Sequence, residues 1–150
     1  MPAIAAAGCL RRVAFAAPTE PLQVSDLGMG LLLIAGAGAN VVALGGSSGT
    51  LLVDGGEATR SADVLKLVAE RTGGRRVEVL FNTNWRDEHV GSNAALGAAG
   101  AKIMAHENTK LWLGADFVVE WEDRVHRPLP ADALPNTTFY TSGTLDFGGR

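Results

Sequence analysis

The sequence predicts a fold of the α/β (α+β) class. Short β-rich runs separated by glycine turns fill residues 21–55, and an amphipathic helical segment follows them. Residues 76–113 then read as a strand, a polar loop, a short helix, a strand and a helix. This order of elements is typical of a domain in which helices pack on a sheet.

The β-rich part predicts an antiparallel meander of strands joined by hairpins. Its first run, residues 22–27, roughly alternates with a period of two, as a half-buried strand does. The second run, residues 31–35, is continuously apolar and short enough for a strand that is buried on both faces. Two further strands are predicted at residues 40–44 and 50–54, with glycine-rich turns at residues 28–30 and 45–49.

An amphipathic helix is predicted over residues 62–71. Ser61 is its candidate N-cap, and Val64 and Val68 belong to an apolar stripe at helical spacing. Beyond Asp116 three prolines indicate an extended or looped stretch. The remaining predicted elements are strands at residues 77–81 and 101–105, a short helix opening at residue 91, a helix at residues 107–113, and a terminal hairpin of residues 138–140 with 144–147.

Composition limits the possible functions. The length of 150 residues and the 47% hydrophobic content are enough for one packed domain. A net charge of −3 gives no argument for a nucleic-acid partner or an anionic membrane surface. The single cysteine, Cys9, excludes an internal disulfide and a cysteine-cluster zinc site. No apolar run approaches the roughly 20 residues of a membrane span.

The sequence is interpreted as two parts, an amino-terminal segment and a domain. Residues 1–20 are interpreted as a leader or disordered segment, and residues 21–150 as a partial domain. Residues 5–9 and 15–17 loosely suggest signal-peptide cleavage sites, but Arg11 and Arg12 follow the first apolar run, whereas a signal peptide has its charges first. Both a cytoplasmic and an exported protein therefore stay open.

The most informative stretch is the polar loop after the strand at residues 77–81. Residues 82–93 read Asn-Thr-Asn-Trp-Arg-Asp-Glu-His-Val-Gly-Ser-Asn. This segment resembles the metal-binding loop of the metallo-β-lactamase fold hydrolases, whose pattern is Asn-Thr-His-x-His-x-Asp-His-x-Gly-x-Asn. Asn84 and Arg86 stand at two histidine positions of the pattern, Glu88 stands at its aspartate, and His89 matches its last histidine.

The resemblance extends over residues 22–150 and implies a fold. In that family two similar halves form a four-layer αββα sandwich, and this chain corresponds to the amino-terminal half, a mixed sheet with helices on one face. The family's remaining metal ligands lie in the second half. The sequence is therefore interpreted as a fragment or a half-domain.

The resemblance also implies a chemistry, which is hydrolysis of an amide, ester or thioester by a zinc-bound hydroxide. His89 would be a zinc ligand, Glu88 a ligand or a catalytic base that orients water, and Asp54 a residue that orients the loop through hydrogen bonds. Asp54 could equally be a turn residue before the glycines at 55 and 56. Asn84 offers zinc only an amide oxygen, and Arg86 has no lone pair and stays protonated. The small-molecule substrate is not readable from the sequence.

Two functional hypotheses follow, because only Glu88 and His89 remain as donors in this loop. The first is a metallo-β-lactamase fold hydrolase with a degenerate zinc site. The second is a catalytically inactive protein that serves as a binding or scaffold module, in which Arg86 takes the place of the metal's charge. In a simpler interpretation of the loop, Arg86 pairs with Asp87 or Glu88 in an ordinary polar turn.

Other candidate sites are weaker. His106 follows a strand end and could face the same sheet edge as the loop, but it is expected to cap the following helix or to be solvated; His126 is expected at the surface. Residues 45–49 fit Gly-x-Ser-x-Gly, but a strand follows where the nucleophile elbow requires a helix. The three tryptophans, Trp85, Trp112 and Trp121, are too scattered for a base-stacking platform and are expected to pack in a core or an interface.

One prediction concerns association. The strands at residues 31–35, 41–44 and 51–53 are apolar on both sides, while the helices of a half-domain cover only one face of the sheet. We therefore expect self-association through the uncovered sheet face.

Overall fold

The computed structural model describes residues 20–149. The predicted leader lies outside the described residues except for Glu20, and so does Cys9. No helix among the described residues is long and apolar enough to cross a membrane.

A mixed sheet of seven strands forms the centre of the described chain, in the order β1-β2-β3-β4-β5-β6-β9. The first four strands are antiparallel neighbours, as the predicted meander requires, whereas β5, β6 and β9 add in parallel. A separate two-stranded hairpin consists of β7 and β8. The strands are β1 (Gln23–Gly28), β2 (Leu31–Ala37), β3 (Ala39–Gly46), β4 (Gly49–Val53), β5 (Val77–Asn82), β6 (Lys102–His106), β7 (Phe117–Val119), β8 (Arg124–His126) and β9 (Thr137–Phe139).

The α-helices of the described chain are α1 (Ser61–Arg71), α2 (Asp87–Val90), α3 (Asn93–Ala98) and α4 (Glu107–Leu113). The prediction that Ser61 caps α1 is wrong, because Arg60 occupies the cap position and no side chain caps the helix. A 3₁₀ turn over Ala58–Arg60 runs directly into α1 and gives Ser61 helical dihedral angles. Its hydroxyl is therefore not placed to accept from the first free amides of the helix.

The hydrophobic core lies between one face of the sheet and helices α1 and α3. Val64 and Val68 of α1 and Leu96 of α3 are buried in it. The sheet contributes fully buried side chains from its central strands: Ile34, Val41, Leu52, Leu80 and Ile103. Burying such aliphatic side chains contributes about 1.5–3 kcal/mol each to folding.

The opposite face of the sheet, called the open face below, carries a row of apolar cross-strand neighbours. They are Leu33, Val42, Val53, Phe81 and Met104, one from each of β2 to β6. All five are half-buried, and none of them belongs to the core cluster that α1 and α3 cover. Something other than the helices therefore covers part of this face.

The carboxy-terminal segment supplies part of the cover. Residues 141–145 line a groove together with Phe81, Met104 and Phe139. Phe147 is buried, and its ring lies over Gly46 in β3. The predicted terminal hairpin is thus wrong, because residues 137–139 pair in parallel with β6 and residues 144–147 form no strand. The open edge of β6 offers the first segment hydrogen-bond partners, and the apolar face attracts Phe147.

Candidate functional site: a loop held by amide and ionic contacts

The polar loop joins the end of β5 to the start of α3, and a buried pair of amides closes it. Asn82 and Asn93, which are 1% and 0% exposed, exchange two side-chain hydrogen bonds of 3.0 and 2.9 Å. The Asn93 amide also donates to the carbonyl of Ala133 at 2.9 Å. These contacts tie the two ends of the loop to each other and to Ala133.

Asp54 holds the middle of the loop from the end of β4. Its carboxylate accepts from the backbone N–H of Thr83 at 2.8 Å and from the Thr83 hydroxyl at 2.7 Å. The second oxygen also lies 2.9 Å from Nδ1 of His89. Asp54 is 5% exposed and adopts a left-handed conformation with φ of 61°, which is uncommon for a residue other than glycine. The predicted hydrogen bonding of Asp54 to the loop is present, while its role beside a metal stays a prediction.

Gly91 is required by a close approach of two backbones. Its N–H donates to the carbonyl of Gly56 at 2.8 Å. A Cβ atom at this position would overlap the backbone of Glu57 and Ala58. The loop is thus pressed against the segment that follows β4, which explains why residue 91 has no side chain.

Arg86 points to a residue far away in the sequence. Its guanidinium donates to the carboxylate of Glu122 at 2.8 Å and lies 5.4 Å from the ring centroid of Trp85. The hydrogen bond and the charge of Glu122 raise the pKa of Arg86. The hydrogen bond from Arg86 in turn lowers the pKa of Glu122. The predicted pairing of Arg86 with Asp87 or Glu88 is wrong.

Those two acids face a different arginine. Nη1 of Arg124 lies 3.7 Å from a carboxylate oxygen of Asp87 and 3.7 Å from one of Glu88. Asp87 also lies 3.5 Å from Nδ1 of His126. Arg124, His126 and Glu122 all belong to the β7–β8 hairpin or its turn, so the loop and the hairpin are joined by charges on both sides. We call the ion pair of Arg86 with Glu122, together with the contacts of Asp87 and Glu88 with Arg124, the ionic clamp.

Aromatic side chains pack beneath the clamp. The ring of Phe117 in β7 stacks on His126 at 4.6 Å, and the ring of Trp85 meets His126 edge-on at 5.0 Å. Trp112 of α4 packs on Phe117 at 4.7 Å. The expected surface position of His126 is wrong, since it is 7% exposed and its Nε2 is buried without a hydrogen-bond partner. Packing is confirmed for Trp85 and Trp112 but not for Trp121, which is 84% exposed.

The zinc site implied by the sequence resemblance does not fit these residues. Protein zinc sites use about four nitrogen, oxygen or sulfur donors. Residues 20–149 contain no group of three or more His, Cys, Asp or Glu side chains placed to hold a metal ion. The Asn84 amide oxygen already accepts from the backbone N–H of Arg86 at 2.8 Å, and Arg86 is a cation with no lone pair. Of the ligand positions in the pattern, Glu88 and His89 remain as donors, and Glu88 faces Arg124.

His106 ends β6, beside the end of β5 where the loop begins. Its Nδ1 accepts from the backbone N–H of Asn108 at 3.1 Å and caps α4, as one of the two expectations had it. The Gly-x-Ser-x-Gly segment forms the β3–β4 hairpin, so the elbow is excluded there. Sequence reasoning missed Glu122 and Arg124, because nothing local to them shows which distant loop they face.

Comparison with known proteins identifies the architecture. No family model matches the sequence, and no curated protein matches it significantly. A Cronobacter sakazakii metallo-β-lactamase described by a HARLDQ motif superimposes with a TM-score of 0.70 and 21% identity over 87% of this chain and 51% of that protein. BJP-1, a subclass B3 metallo-β-lactamase of Bradyrhizobium japonicum, gives a TM-score of 0.69 and 18% identity over 87% and 50%.

LRA-12, a class B3 di-zinc metallo-β-lactamase from an Alaskan soil metagenome, gives a TM-score of 0.67 and 19% identity, covering 92% of this chain and 53% of that protein. Identities at this level establish the fold and leave the activity open. The chain therefore has the metallo-β-lactamase fold, over about half the length of the solved proteins that it matches.

Proposed function

We propose that this chain is a metallo-β-lactamase fold module that binds a partner and does not hydrolyse a substrate through zinc at this loop. The observation that carries the proposal is the hydrogen-bonded ion pair of Arg86 with Glu122 at 2.8 Å. Arg86 stands at a position where the resemblance implies a histidine ligand. A guanidinium there repels a metal cation and donates no electron pair to it.

The ionic clamp supports the proposal by giving the loop a fixed shape that needs no metal. Asp54 and the pair of Asn82 with Asn93 hold the loop from beneath, and the clamp ties it to the β7–β8 hairpin. A loop left over from a lost metal site without new partners would expose unpaired charges. Here each acid of the loop faces a cation of the hairpin.

A second candidate is zinc-dependent hydrolysis, and two observations favour it. The bond between Asp54 and Nδ1 of His89 leaves the other ring nitrogen of His89 available as a ligand, an arrangement common around zinc-binding histidines. The Cronobacter sakazakii metallo-β-lactamase is described by a HARLDQ motif, and the third residue of that motif is arginine. Arg86 is likewise the third residue of the six-residue segment 84–89 in this chain. This candidate needs further donors, because among the ligand positions of the pattern only Glu88 and His89 offer them.

Metal content and turnover on one preparation separate the two candidates. The full chain is purified and dialysed first against micromolar zinc and then against metal-free buffer. Its zinc content is then measured by elemental analysis. We expect far less than one zinc per chain and no zinc-dependent cleavage of chromogenic β-lactam, ester or thioester substrates. A stoichiometry of one or two with zinc-dependent turnover would establish the hydrolase instead.

A further inference from the structure

We infer that the outer face of the β7–β8 hairpin is a docking surface for a basic peptide segment that carries apolar anchors. This inference rests on the proposed binding function and names the chemistry of the partner. The surface consists of Val118, Trp121 and Val125, and we call it the hairpin face. Their exposed fractions are 62%, 84% and 55%.

Side chains alternate between the two sides of the hairpin, and the central outward positions are apolar. Val118 and Val125 are cross-strand partners and point away from the domain. Their neighbours Phe117 and His126 point inward into the aromatic cluster. Both outward positions of the central pair are therefore valines, where a solvated hairpin ordinarily carries polar residues.

The hairpin is small but has contacts on two sides. Strands of three residues in a two-stranded hairpin are marginal in water on their own. The aromatic cluster fixes the inner side, and the ionic clamp fixes the turn through Glu122 and β8 through Arg124. Trp121 and the two valines are thus presented on a preorganised support, which lowers the entropy lost when a partner binds.

The turn also carries negative charge, which favours a positively charged partner. Glu120 directly precedes Trp121, and Asp123 lies two residues after it; both acids are exposed, and neither forms an ion pair within residues 20–149. Glu122 and Arg124, by contrast, are engaged with the loop. An exposed tryptophan between two acids suits a segment with an apolar anchor and lysine or arginine beside it, since tryptophan is enriched among residues that dominate binding energy and charges guide encounter.

A synthetic peptide of alternating lysine and leucine is the probe. Binding to the full chain is measured by calorimetry and by tryptophan fluorescence. Two matched peptides, one with glutamate in place of lysine and one with serine in place of leucine, test the charge and the apolar requirement. We expect binding of the lysine–leucine peptide alone, weakened about tenfold or more by Trp121→Ser. The double change Glu120→Lys with Asp123→Lys should weaken it similarly.

Two control variants test whether the peptide binds only through unspecific attraction to an acidic protein. Tyr140→Ser removes another aromatic side chain that is 75% exposed, and Glu20→Lys with Glu70→Lys reverses two exposed charges elsewhere. Both should leave the affinity unchanged. All substituted residues are exposed, and an unchanged melting temperature for each variant confirms that the fold is intact.

The following outcomes overturn the inference. Equal binding to wild-type protein and Trp121→Ser, or loss of binding in the control variants, places the contact elsewhere. A dimer that Trp121→Ser dissolves, seen by light scattering without peptide, makes a second copy the occupant. Zinc content measured on the same samples keeps the two proposals apart, because a zinc-loaded, hydrolytic protein that still binds the peptide through Trp121 refutes only the proposed function.

Discussion

Replacing Asn93 by alanine tests whether the loop is fixed by its amide pair. Asn93→Ala removes three hydrogen bonds and leaves the Asn82 amide and the Ala133 carbonyl without their partners in a dry environment. Each buried polar group left unpaired costs about 1–3 kcal/mol, so the expected loss is about 3 kcal/mol. That is a large part of the roughly 5–15 kcal/mol by which domains are stable.

Urea unfolding followed by circular dichroism measures this loss. The double variant Asn82→Ala with Asn93→Ala should lose less than the sum of the two single variants, because it leaves no unpaired amide behind. Asn108→Ala is the matched control, since the Asn108 side chain is exposed and it should change stability by less than about 0.5 kcal/mol. A loss below about 1 kcal/mol for Asn93→Ala, or additive single effects, would refute the reasoning.

Three further predictions concern the same loop. Gly91→Ala should unfold or strongly destabilise the protein in the same urea assay, because its Cβ meets the Glu57–Ala58 backbone; a neutral effect would show that this approach can relax. The triple change Asn84→His, Arg86→His and Glu88→Asp should give measurable but not tight zinc binding in a titration, and no gain would indicate a loop geometry unlike that of the family. The Arg86–Glu122 pair lowers the pKa of Glu122, so its stabilisation is complete above the ordinary value of 4.5 and is lost as the pH falls through the lowered folded pKa. Melting temperatures of wild type and Glu122→Gln should therefore converge in acid and differ at neutral pH, and a constant difference would contradict the pairing.

The regular part of the fold could be predicted because its signals are local. The apolar run after Met29 gives β2, and the helix stripe around Val64 gives α1. Side-chain periodicity and glycine turns depend on neighbours a few residues apart, which a single sequence shows directly. The bounds shift by one or two residues at strand ends, as for β2, which ends at Ala37 and not at residue 35.

The ionic clamp could not be predicted, because its partners are distant in the sequence. Arg86 and Glu122 are 36 residues apart in the sequence, whereas Asp87 is adjacent to Arg86 and is the simpler counter-ion to predict. An adjacent acid is nearby along the chain, but the side chains of consecutive loop residues point in different directions. The choice between them depends on the hairpin position, which the aromatic cluster around His126 sets. The same cluster explains the burial of His126, whose charged neighbours Arg124 and Arg127 suggested solvent exposure.

Self-association through the open face remains a prediction, and the structure sharpens it. Phe147 and residues 141–145 lie against one part of this face, while Val42 and Val53 keep partial exposure. If roughly 200 Å² of apolar surface stays in water, about 5 kcal/mol of hydrophobic stabilisation is forgone, which is comparable to the lower limit of domain stability. The chain should therefore dimerise or bind hydrophobic dye. Phe147→Ser should loosen the covering segment and increase both. A monodisperse monomer by light scattering, with a cooperative melt and no dye binding in either protein, would show that the half-buried face is stable in water as it stands.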